Sequence, residues 1–210
     1  MQVEDHSLLD HSCQVQRHEL ADRKDDLYET PTVAVEALLR VEKLPERLWE
    51  PACGRGKIVE ALNVAGHVVY ATDLVDYGWN HLSRIDFLME KQIISGVEAI
   101  ITNPPFKLAE EFVEHALYLC PKVIMLLRLA FLESERRSHL LDNGNLARVY
   151  VFRKRLPMMH RDGWQGRKAN SGMAFAWFVW DKSHQGPAMI RRISWEDDRD
   201  AQSPRMDRPK

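Results

Sequence analysis

The chain has little cysteine and no excess of either charge. Cys13, Cys53 and Cys120 are an odd number, and none of them belongs to a CxxC pair. This pattern argues against a disulfide framework or a zinc site, so we predict reduced thiols, no metal and a cytoplasmic location. Lys and Arg number 29 and Asp and Glu 31, for a net charge of -2. Any nucleic-acid partner would therefore have to bind a local basic patch.

Long apolar runs are also missing. No stretch approaches the length of a membrane span, and the N-terminus lacks the charged-then-apolar pattern of a signal peptide. We therefore predict no membrane partner. The chain lacks the Lys-Ser/Thr ending of a P-loop, and of a GxGxxG pattern only Gly54 and Gly56 are present. These absences argue against a P-loop nucleotide and against a dinucleotide as the ligand.

The remaining composition is that of an ordinary globular protein. Of 210 residues, 45% are hydrophobic and 29% are charged, which suffices for one well-buried domain. We place that domain at residues 27–193. A polar N-terminal extension at 1–26 and a charged tail at 194–210 are predicted to be flexible. The oligomeric state stays open.

Two kinds of apolar segment alternate along the domain. Short apolar runs predict strands at 47–50, 67–72, 97–102, 122–129, 147–152 and 173–180. Helical spacing predicts helices at 32–41, 56–65, 109–119 and 133–141. Thr30 is the predicted N-cap of the first helix, with Pro31 in its first turn. The alternation predicts an α/β fold with a mostly parallel sheet, helices on both faces, and an antiparallel hairpin made by the last two strands.

The third predicted strand is followed by four polar or rigid residues, Asn103, Pro104, Pro105 and Phe106. In an open α/β sheet, ligands bind at the carboxyl ends of the strands. The prolines fix two φ angles and remove two backbone donors. Their carbonyls and the Asn103 side chain therefore form a group of acceptors that suits an amino group. A Pro-Pro turn that merely ends the strand is the alternative.

A glycine-containing loop, Glu-Pro-Ala-Cys-Gly-Arg-Gly, follows the first predicted strand. Its glycines let the backbone approach a ligand, and the next helix offers free N–H groups. The loop suits a cofactor, although a purely structural turn would have the same composition. We interpret Cys53 as a small buried filler. The loop residues that we assign to cofactor binding are Glu50, Pro51, Ala52, Gly54 and Gly56.

Two acidic residues follow later in the chain. Asp73 comes directly after the second predicted strand, where a carboxylate can accept both hydroxyls of a ribose. Asp86 precedes Phe87, and such a pair can accept from an adenine amino group while the ring packs against the base. Either acid could instead be an ordinary surface residue.

The chain resembles the class I S-adenosylmethionine-dependent amino-methyltransferases in five motifs. These are Thr-Pro at 30–31, Glu-Pro-Ala-Cys-Gly-x-Gly at 50–56, Thr-Asp-Leu at 72–74, Asp-Phe at 86–87 and Asn-Pro-Pro-Phe at 103–106. More narrowly, the chain is similar to DNA adenine-N6 methyltransferases, including small versions carried by phages and prophages. The resemblance extends over about residues 28–178. It implies a Rossmann-like class I methyltransferase sheet, with S-adenosylmethionine as the cofactor.

The resemblance implies a role for each matching position. Besides the glycine loop, the implied cofactor-binding residues are Tyr28, Thr30, Pro31, Asp73, Leu74, Asp86, Phe87 and Asn103. The first three correspond to the methionine end of the cofactor, the next two to the ribose and adenine, and the Asp-Phe pair to the adenine end. The segment 103–106 corresponds to the catalytic motif. Many members have Tyr where this chain has Phe106, so any role of that hydroxyl is absent here.

An exocyclic amine is a poor nucleophile because its lone pair is delocalised into the ring. If the Asn103 side chain and the Pro104 carbonyl accept its hydrogens, the nitrogen moves towards tetrahedral geometry and its lone pair can point at the methyl group. A paired adenine would first be flipped out of the duplex and stack on Phe106. RNA adenine, cytosine N4, a protein glutamine amide and a catalytically inactive nucleic-acid-binding module are the alternatives.

A basic loop joins the last two predicted strands. It contains cations for phosphates and an aromatic residue for a base, and it interrupts a chain that is slightly acidic overall. We assign it to substrate binding, with DNA, or alternatively RNA, as the partner. A solvated charged loop is the alternative interpretation. The assigned residues are Arg153, Lys154, Arg155, Trp164, Arg167 and Lys168, together with Phe106.

Overall fold

A computed structural model of the chain describes residues 29–79, 83–157 and 172–196. Within these ranges, eight strands form one sheet. They are Arg47–Glu50 (β1), Val68–Asp73 (β2), Ser83–Arg84 (β3), Ala99–Thr102 (β4), Lys122–Arg128 (β5), Leu146–Phe152 (β6), Phe175–Asp181 (β7) and Met189–Ile193 (β8). The helices are Thr32–Leu39 (α1), Lys57–Val64 (α2), Ala109–Leu119 (α3) and Ser138–Leu141 (α4).

The strand order in the sheet is β3-β2-β1-β4-β5-β7-β6-β8. Strands β1 to β5 are mutually parallel where they pair, and β7 runs antiparallel to both β5 and β6. The predicted mostly parallel sheet with an antiparallel ending is confirmed. Because β1, β4 and β5 are adjacent and parallel, the loops that follow them meet at one edge of the sheet.

The helices cover both faces of the sheet. One buried cluster joins α1 and α2 to the sheet and includes Leu38, Leu62 and Trp177. The other joins α3 and α4 to the opposite face and includes Val113 and Trp180. Alternate residues of a strand enter different clusters because strand side chains point to the two faces in turn. The prediction that helices lie on both faces is therefore confirmed.

Three local predictions were wrong. The predicted helix at 133–141 is a 3₁₀ turn at Glu135–Arg137 followed by the single turn of α4. Pro31, not Thr30, is the N-cap of α1, and no side chain caps that end. The segment at 173–180 is not the last strand, because β8 follows and pairs with β6 in parallel. All but the last residue of β8 are exposed, so it lacks an apolar run that would signal a strand.

The described start of the C-terminal tail packs against the domain. The indole Nε1 of Trp195 donates to the carbonyl oxygen of Lys154 at 3.2 Å. The Ser194 carbonyl oxygen accepts a hydrogen bond from the Arg40 guanidinium at 2.8 Å. These two hydrogen bonds attach the first residues of 194–210 to the domain. The extension at 1–26 lies outside the described residues.

Candidate active site

Three neighbouring strands end in a polar residue with unsatisfied buried atoms. Glu50, Thr102 and Arg128 are the last residues of β1, β4 and β5. Both carboxylate oxygens of Glu50, the Thr102 hydroxyl and the Arg128 Nε are buried without a hydrogen-bond partner among the described residues. Such groups are costly in a folded protein and are rare outside functional sites. This edge of the sheet is therefore the candidate ligand-binding region.

A cavity of about 340 Å³ opens at the same edge. It lies between the loops that follow β1, β2 and β4. Ten of the sequence-predicted site residues line it: Thr30, Pro51, Ala52, Gly54, Asp73, Leu74, Asp86, Phe87, Asn103 and Pro105. Eight predicted site residues within the described ranges do not line it: Pro31, Glu50, Gly56, Pro104, Phe106, Arg153, Lys154 and Arg155. We call this space the first cavity.

Asp73 holds the glycine loop in place. The Gly54 N–H donates to its Oδ2 at 2.8 Å, and the Val75 N–H donates to its Oδ1 at 2.9 Å. The Cys53 N–H donates to the Thr72 carbonyl oxygen at 3.1 Å, which attaches the loop to β2 as well. The Asp73 side chain also lines the first cavity. Asp73 therefore combines a structural role with a position on the cavity wall.

The two glycines of the loop serve different purposes. Both adopt positive φ, 53° at Gly54 and 75° at Gly56, a region that suits glycine. Gly54 lines the first cavity. Gly56 instead lies under an indole ring, because a Cβ added there would be 2.3 Å from Cε2 of Trp79. The sequence interpretation that both glycines admit a ligand therefore misses the packing role of Gly56.

Glu50 lies behind the lining of the cavity and is fully buried. Burial raises the pKa of its carboxyl well above the ordinary value of 4.5, and the nearby Asp73 carboxylate raises it further. The Thr102 hydroxyl and the Ala52 N–H oppose part of this rise, although neither meets hydrogen-bond geometry with the carboxylate. Glu50 is therefore protonated over a wider pH range than an ordinary glutamate.

Cys53 is buried, as expected for a small filler. Burial, with the neighbouring carboxylates of Glu50 and Asp73, raises the pKa of its thiol to about 12. A nucleophilic cysteine needs a lowered pKa, because the thiolate is the reactive form. Although Cys53 lines the first cavity, its environment does not suit a nucleophile.

The Asp-Phe pair forms another wall of the first cavity. Asp86 begins the 3₁₀ turn Phe87–Met89, and its Oδ1 accepts from the Leu88 N–H at 3.1 Å. The Phe87 ring is in edge contact with Trp49, with a centroid separation of 5.2 Å, and lies 5.0 Å from Phe112. Phe87 and Phe112 therefore form an apolar part of the cavity wall, with Trp49 packed against Phe87.

A hydrogen bond joins two motifs that are far apart in sequence. Asn103 Nδ2 donates to Thr30 Oγ1 at 3.0 Å across a separation of 73 residues. Thr30 is 4% exposed, so its hydroxyl is fixed. The Thr-Pro and Asn-Pro-Pro-Phe motifs therefore meet at the first cavity, which both Thr30 and Asn103 line. In this contact the amide nitrogen is the donor, so the amide oxygen lies on the other side of the Asn103 side chain.

Phe106 lies beside a cation. The Arg128 guanidinium is 4.2 Å from the centroid of the Phe106 ring, and the Phe175 ring is 5.6 Å away. The register of β5 and β7 places Phe175 opposite Arg128, so these three side chains form one group at the sheet edge. Stacking of a base on the ring face that Arg128 covers would require the guanidinium to move.

The predicted substrate-binding loop is described only at its ends. Arg153, Lys154 and Arg155 follow β6 and are exposed. Lys154 forms a salt bridge with Glu196 at 2.6 Å, so its charge is partly neutralised. Trp164, Arg167 and Lys168 lie outside the described residues, as does Tyr28. The loop leaves the sheet after β6 and returns before β7, at the edge that holds the first cavity.

Sequence reasoning missed ten residues that line the first cavity: Glu29, Cys53, Arg55, Lys57, Ile58, Val75, Tyr77, Leu88, Leu108 and Phe112. Several of them directly flank a predicted motif, and that adjacency was the available signal. Arg55 and Glu29 approach to 4.0 Å across the cavity. Phe112, on α3, reaches the cavity only through the packing of that helix.

The described residues contain neither a metal-binding group nor a membrane-spanning helix. No group of three or more His, Cys, Asp or Glu side chains in 29–79, 83–157 and 172–196 could hold a metal ion. In the same part of the chain, no helix combines the length and the apolar character needed to cross a bilayer.

Comparison with known proteins establishes the fold. The chain matches no protein-family model and no curated protein. Among solved structures, a protein assigned as the modification subunit of a type I restriction enzyme from Vibrio vulnificus is 16% identical, with a TM-score of 0.54. The match covers 79% of this chain and 47% of that one, so this chain spans about half of its length.

Two further structures match at similar levels. A protein assigned as an RNA methyltransferase from Pyrococcus horikoshii is 15% identical, with a TM-score of 0.56, over 74% of this chain and 87% of that one. A protein assigned as a class I S-adenosylmethionine-dependent methyltransferase from Listeria monocytogenes is 14% identical, with a TM-score of 0.51, over 80% and 64%. At such identities, the comparisons establish the architecture and not the activity. The chain therefore has the Rossmann-like fold of class I methyltransferases.

Proposed function

We propose that this chain transfers a methyl group from S-adenosylmethionine to the exocyclic N6 amine of adenine in DNA. The hydrogen bond from Asn103 to Thr30 beside the first cavity is the observation that carries the proposal. With the amide nitrogen held as a donor, the amide oxygen is the acceptor of this side chain. An amine substrate requires such an acceptor next to the cofactor.

The first cavity suits S-adenosylmethionine in size and chemistry. Its volume of about 340 Å³ is that of a small-molecule site. The carboxylates of Asp73 and Asp86 can accept from hydroxyl and amino groups, while Arg55 and Lys57 can meet a carboxylate. When bound, the cofactor supplies an electrophilic methyl group on a sulfonium. Tyr28, Pro31, Glu50 and Gly56 stay proposed members of the same site.

The Asn-Pro-Pro-Phe segment would orient the acceptor amine. Asn103 follows β4 directly, and Pro105 has a rigid extended backbone with φ -53° and ψ 128°. With the Asn103 oxygen and the Pro104 carbonyl accepting its hydrogens, the amine would present its lone pair away from them. Most of the acceleration would come from this positioning and from acceptors placed where positive charge grows on nitrogen.

DNA as the acceptor is supported by the chemistry at this edge of the sheet. Arg153 and Arg155 are exposed at the start of the basic loop, and neither forms a salt bridge among the described residues. Phosphate contacts from such cations would supply affinity that does not depend on sequence.

The test is incubation with methyl-labelled S-adenosylmethionine and double-stranded DNA, single-stranded DNA or RNA, followed by mass spectrometry of the nucleosides. We expect label in N6-methyladenine from DNA. Label only in RNA or in cytosine would keep the chemistry and change the acceptor. Cofactor binding without label in any nucleic acid would contradict the proposal and favour a protein acceptor or an inactive module.

Two substitutions sharpen the test. Asn103→Ala is expected to lower kcat by roughly 10²–10³-fold, because it removes an acceptor aligned with the reacting amine. Thr30→Val should lower kcat less, since it removes only the group that orients Asn103, and Thr30→Ser should restore activity. Asn63→Ala is the matched control, because Asn63 is exposed on α2 and its side chain forms no hydrogen bond or salt bridge with the described residues. Full activity of the Asn103→Ala variant would refute the mechanism.

A further inference from the structure

A second cavity lies next to the first, on the other side of the Asn-Pro-Pro-Phe segment. Its volume is about 220 Å³. Asn103, Pro105 and Leu108 line the first cavity, whereas Phe106, Lys107 and Ala109 line the second. The end of β5, at Leu127 and Arg128, forms its far wall. The short segment from 103 to 109 therefore separates the two spaces, and a molecule in one would be adjacent to a molecule in the other.

The second cavity is strongly cationic in a chain with a net charge of -2. Its lining contains four cations and one carboxylate, namely Lys107, Arg128, Arg136, Arg137 and Glu110. The carboxylate is shared, because Arg136 donates to Glu110 Oε2 through Nε at 3.0 Å and Arg137 Nε lies 3.4 Å from the same oxygen. One carboxylate therefore neutralises part of the charge of two guanidinium groups, and the excess is positive.

Arg128 is the most informative member of this lining. Its Nε is buried without a hydrogen-bond partner, and it forms no salt bridge among the described residues. The Phe106 ring lies against its guanidinium at 4.2 Å. A guanidinium that stacks on a ring directs its N–H groups outward in its own plane, where they match the oxygens of a phosphate. A buried N–H without a partner is costly, and an anionic oxygen that accepted from it would offset that cost.

Arg137 is held by contacts within the protein, so its part of the second cavity is formed without a ligand. Its Nη1 donates to the Phe131 carbonyl oxygen at 2.6 Å and to the Ala130 carbonyl oxygen at 3.3 Å. Its guanidinium also lies 4.5 Å from the centroid of the Phe131 ring. These contacts fix one wall, so little conformational entropy would be lost there on binding. Lys107, by contrast, is exposed and forms no salt bridge among the described residues.

We propose that the second cavity binds a backbone phosphate of the nucleic acid, next to the nucleotide whose base is presented to Asn103. The inference rests on the proposed function for the identity of the acceptor. A base presented at the Asn-Pro-Pro-Phe segment carries its sugar and phosphates with it, and the second cavity is the cationic space adjoining that segment. Arg128 and Lys107 supply the charge for the phosphate, and Arg137 and Phe131 supply the fixed frame.

The experiment measures DNA binding rather than turnover. A fluorescein-labelled duplex of about 12 base pairs is titrated with the full chain at several NaCl concentrations, and binding is followed by anisotropy. Each lost phosphate contact lowers the slope of log Kobs against log[salt] by about 0.9 in magnitude. We expect this reduction, with weaker binding, for Arg128→Gln and for Lys107→Gln. Lys43→Gln is the matched control, because Lys43 is exposed beyond α1, at the opposite edge of the sheet.

Lys107→Gln guards against a trivial loss of folding, because an exposed side chain is replaced without disturbing Phe106. The proposal would be overturned if Arg128→Gln and Lys107→Gln both gave the same salt slope as Lys43→Gln. Binding of a polyglutamate peptide but not of DNA, reduced by the same substitutions, would also overturn it. The salt slope does not depend on methyl transfer. A reduced slope without any methylation would therefore refute the proposed reaction and support the phosphate site. Methylation with unchanged slopes would support the reaction and refute the phosphate site.

Discussion

Two buried glutamates lie at opposite edges of the sheet and differ in their hydrogen bonds and in the direction of their pKa shifts. Glu42, beyond α1 at the amino edge, accepts from Lys122 at 2.9 Å, from Arg148 at 2.7 Å and from the Tyr150 hydroxyl at 2.8 Å. Although burial acts to raise its pKa, these hydrogen bonds lower it below the ordinary value. Glu50, at the carboxyl edge, has no hydrogen-bond partner for its carboxylate among the described residues, and its pKa is raised.

The contrast distinguishes the amino edge, where buried groups stabilise the structure, from the carboxyl edge, where the candidate site lies. A buried polar network stabilises a fold only when its members are satisfied, and Glu42 meets that condition. Buried groups that lack partners lower stability and persist where a function requires them. At the carboxyl edge Glu50, Thr102 and Arg128 all belong to this second class. The following predictions test the difference between the two edges.

The largest expected effect is at Glu42. Glu42→Gln leaves Lys122 and Arg148 without their shared anion in a partly buried position, so we expect a loss of about 3 kcal/mol in the free energy of unfolding. Urea denaturation measures it. Glu36→Gln, at an exposed position of α1, is the matched control. A loss no greater than that of the control would show that the network around Glu42 does not stabilise the protein.

A smaller effect is expected at Gly56. Gly56→Ala strains a backbone with positive φ and also pushes a Cβ against Trp79, at a combined cost of about 2 kcal/mol. Gly66→Ala isolates the strain alone, because Gly66 has φ 92° and no atom lies within 4 Å of an added Cβ. Urea unfolding and tryptophan emission should both separate the two variants. Equal losses would contradict the packing role of Gly56.

Removal of one donor from the Glu42 network should cost less. Tyr150→Phe deletes the hydroxyl that donates to Glu42 but keeps the ring and both cations. We expect a loss of about 1 kcal/mol in the free energy of unfolding, which is typical of one hydrogen bond to a charged group whose other partners remain. Urea denaturation is again the measurement. A loss as large as that of Glu42→Gln would indicate that the hydroxyl, and not the cations, dominates the network.

An effect of opposite sign, which depends on pH, is expected at Glu50. Its folded pKa is raised, so its contribution to stability is complete below the unfolded value near 4.5 and is lost as pH rises through the folded pKa. Glu50→Gln cannot ionise and avoids that loss. We expect near-equal stability of variant and wild type at about pH 5 and a growing advantage of the variant towards about pH 8. A difference that shrinks with rising pH would place an unrecognised cation beside Glu50.

Strands with a strong local signal were predicted within one or two residues, because β2, β4, β5 and β6 contain short apolar runs. Strand β8 was missed because it lies at the sheet edge with only Ile193 buried. The 3₁₀ turn and short α4 at 135–141 were predicted as one helix, since apolar spacing does not distinguish a broken helix from a continuous one. Edge position and helix breaks depend on tertiary neighbours.

The candidate site was likewise predicted from the sequence only in part. The local sequence indicated most of the residues that the structure brings to the first cavity, because ligand loops follow the carboxyl ends of parallel strands. It did not indicate that Trp79 covers Gly56 or that Arg128 stacks on Phe106. Both contacts join residues from different loops, and neither leaves a pattern along the chain.

By itself the sequence determined the alternation of strands and helices and the order of the motifs, because both depend on residues that are near one another in the chain. Only the tertiary structure decided which polar groups find partners. Glu42 and Glu50 are eight residues apart and have the same type of side chain. The sheet brings Lys122 and Arg148 to Glu42, whereas the Glu50 carboxylate has no partner among the described residues. Pairing of buried charges depends on long-range packing, and it separates the structural edge of this fold from its site.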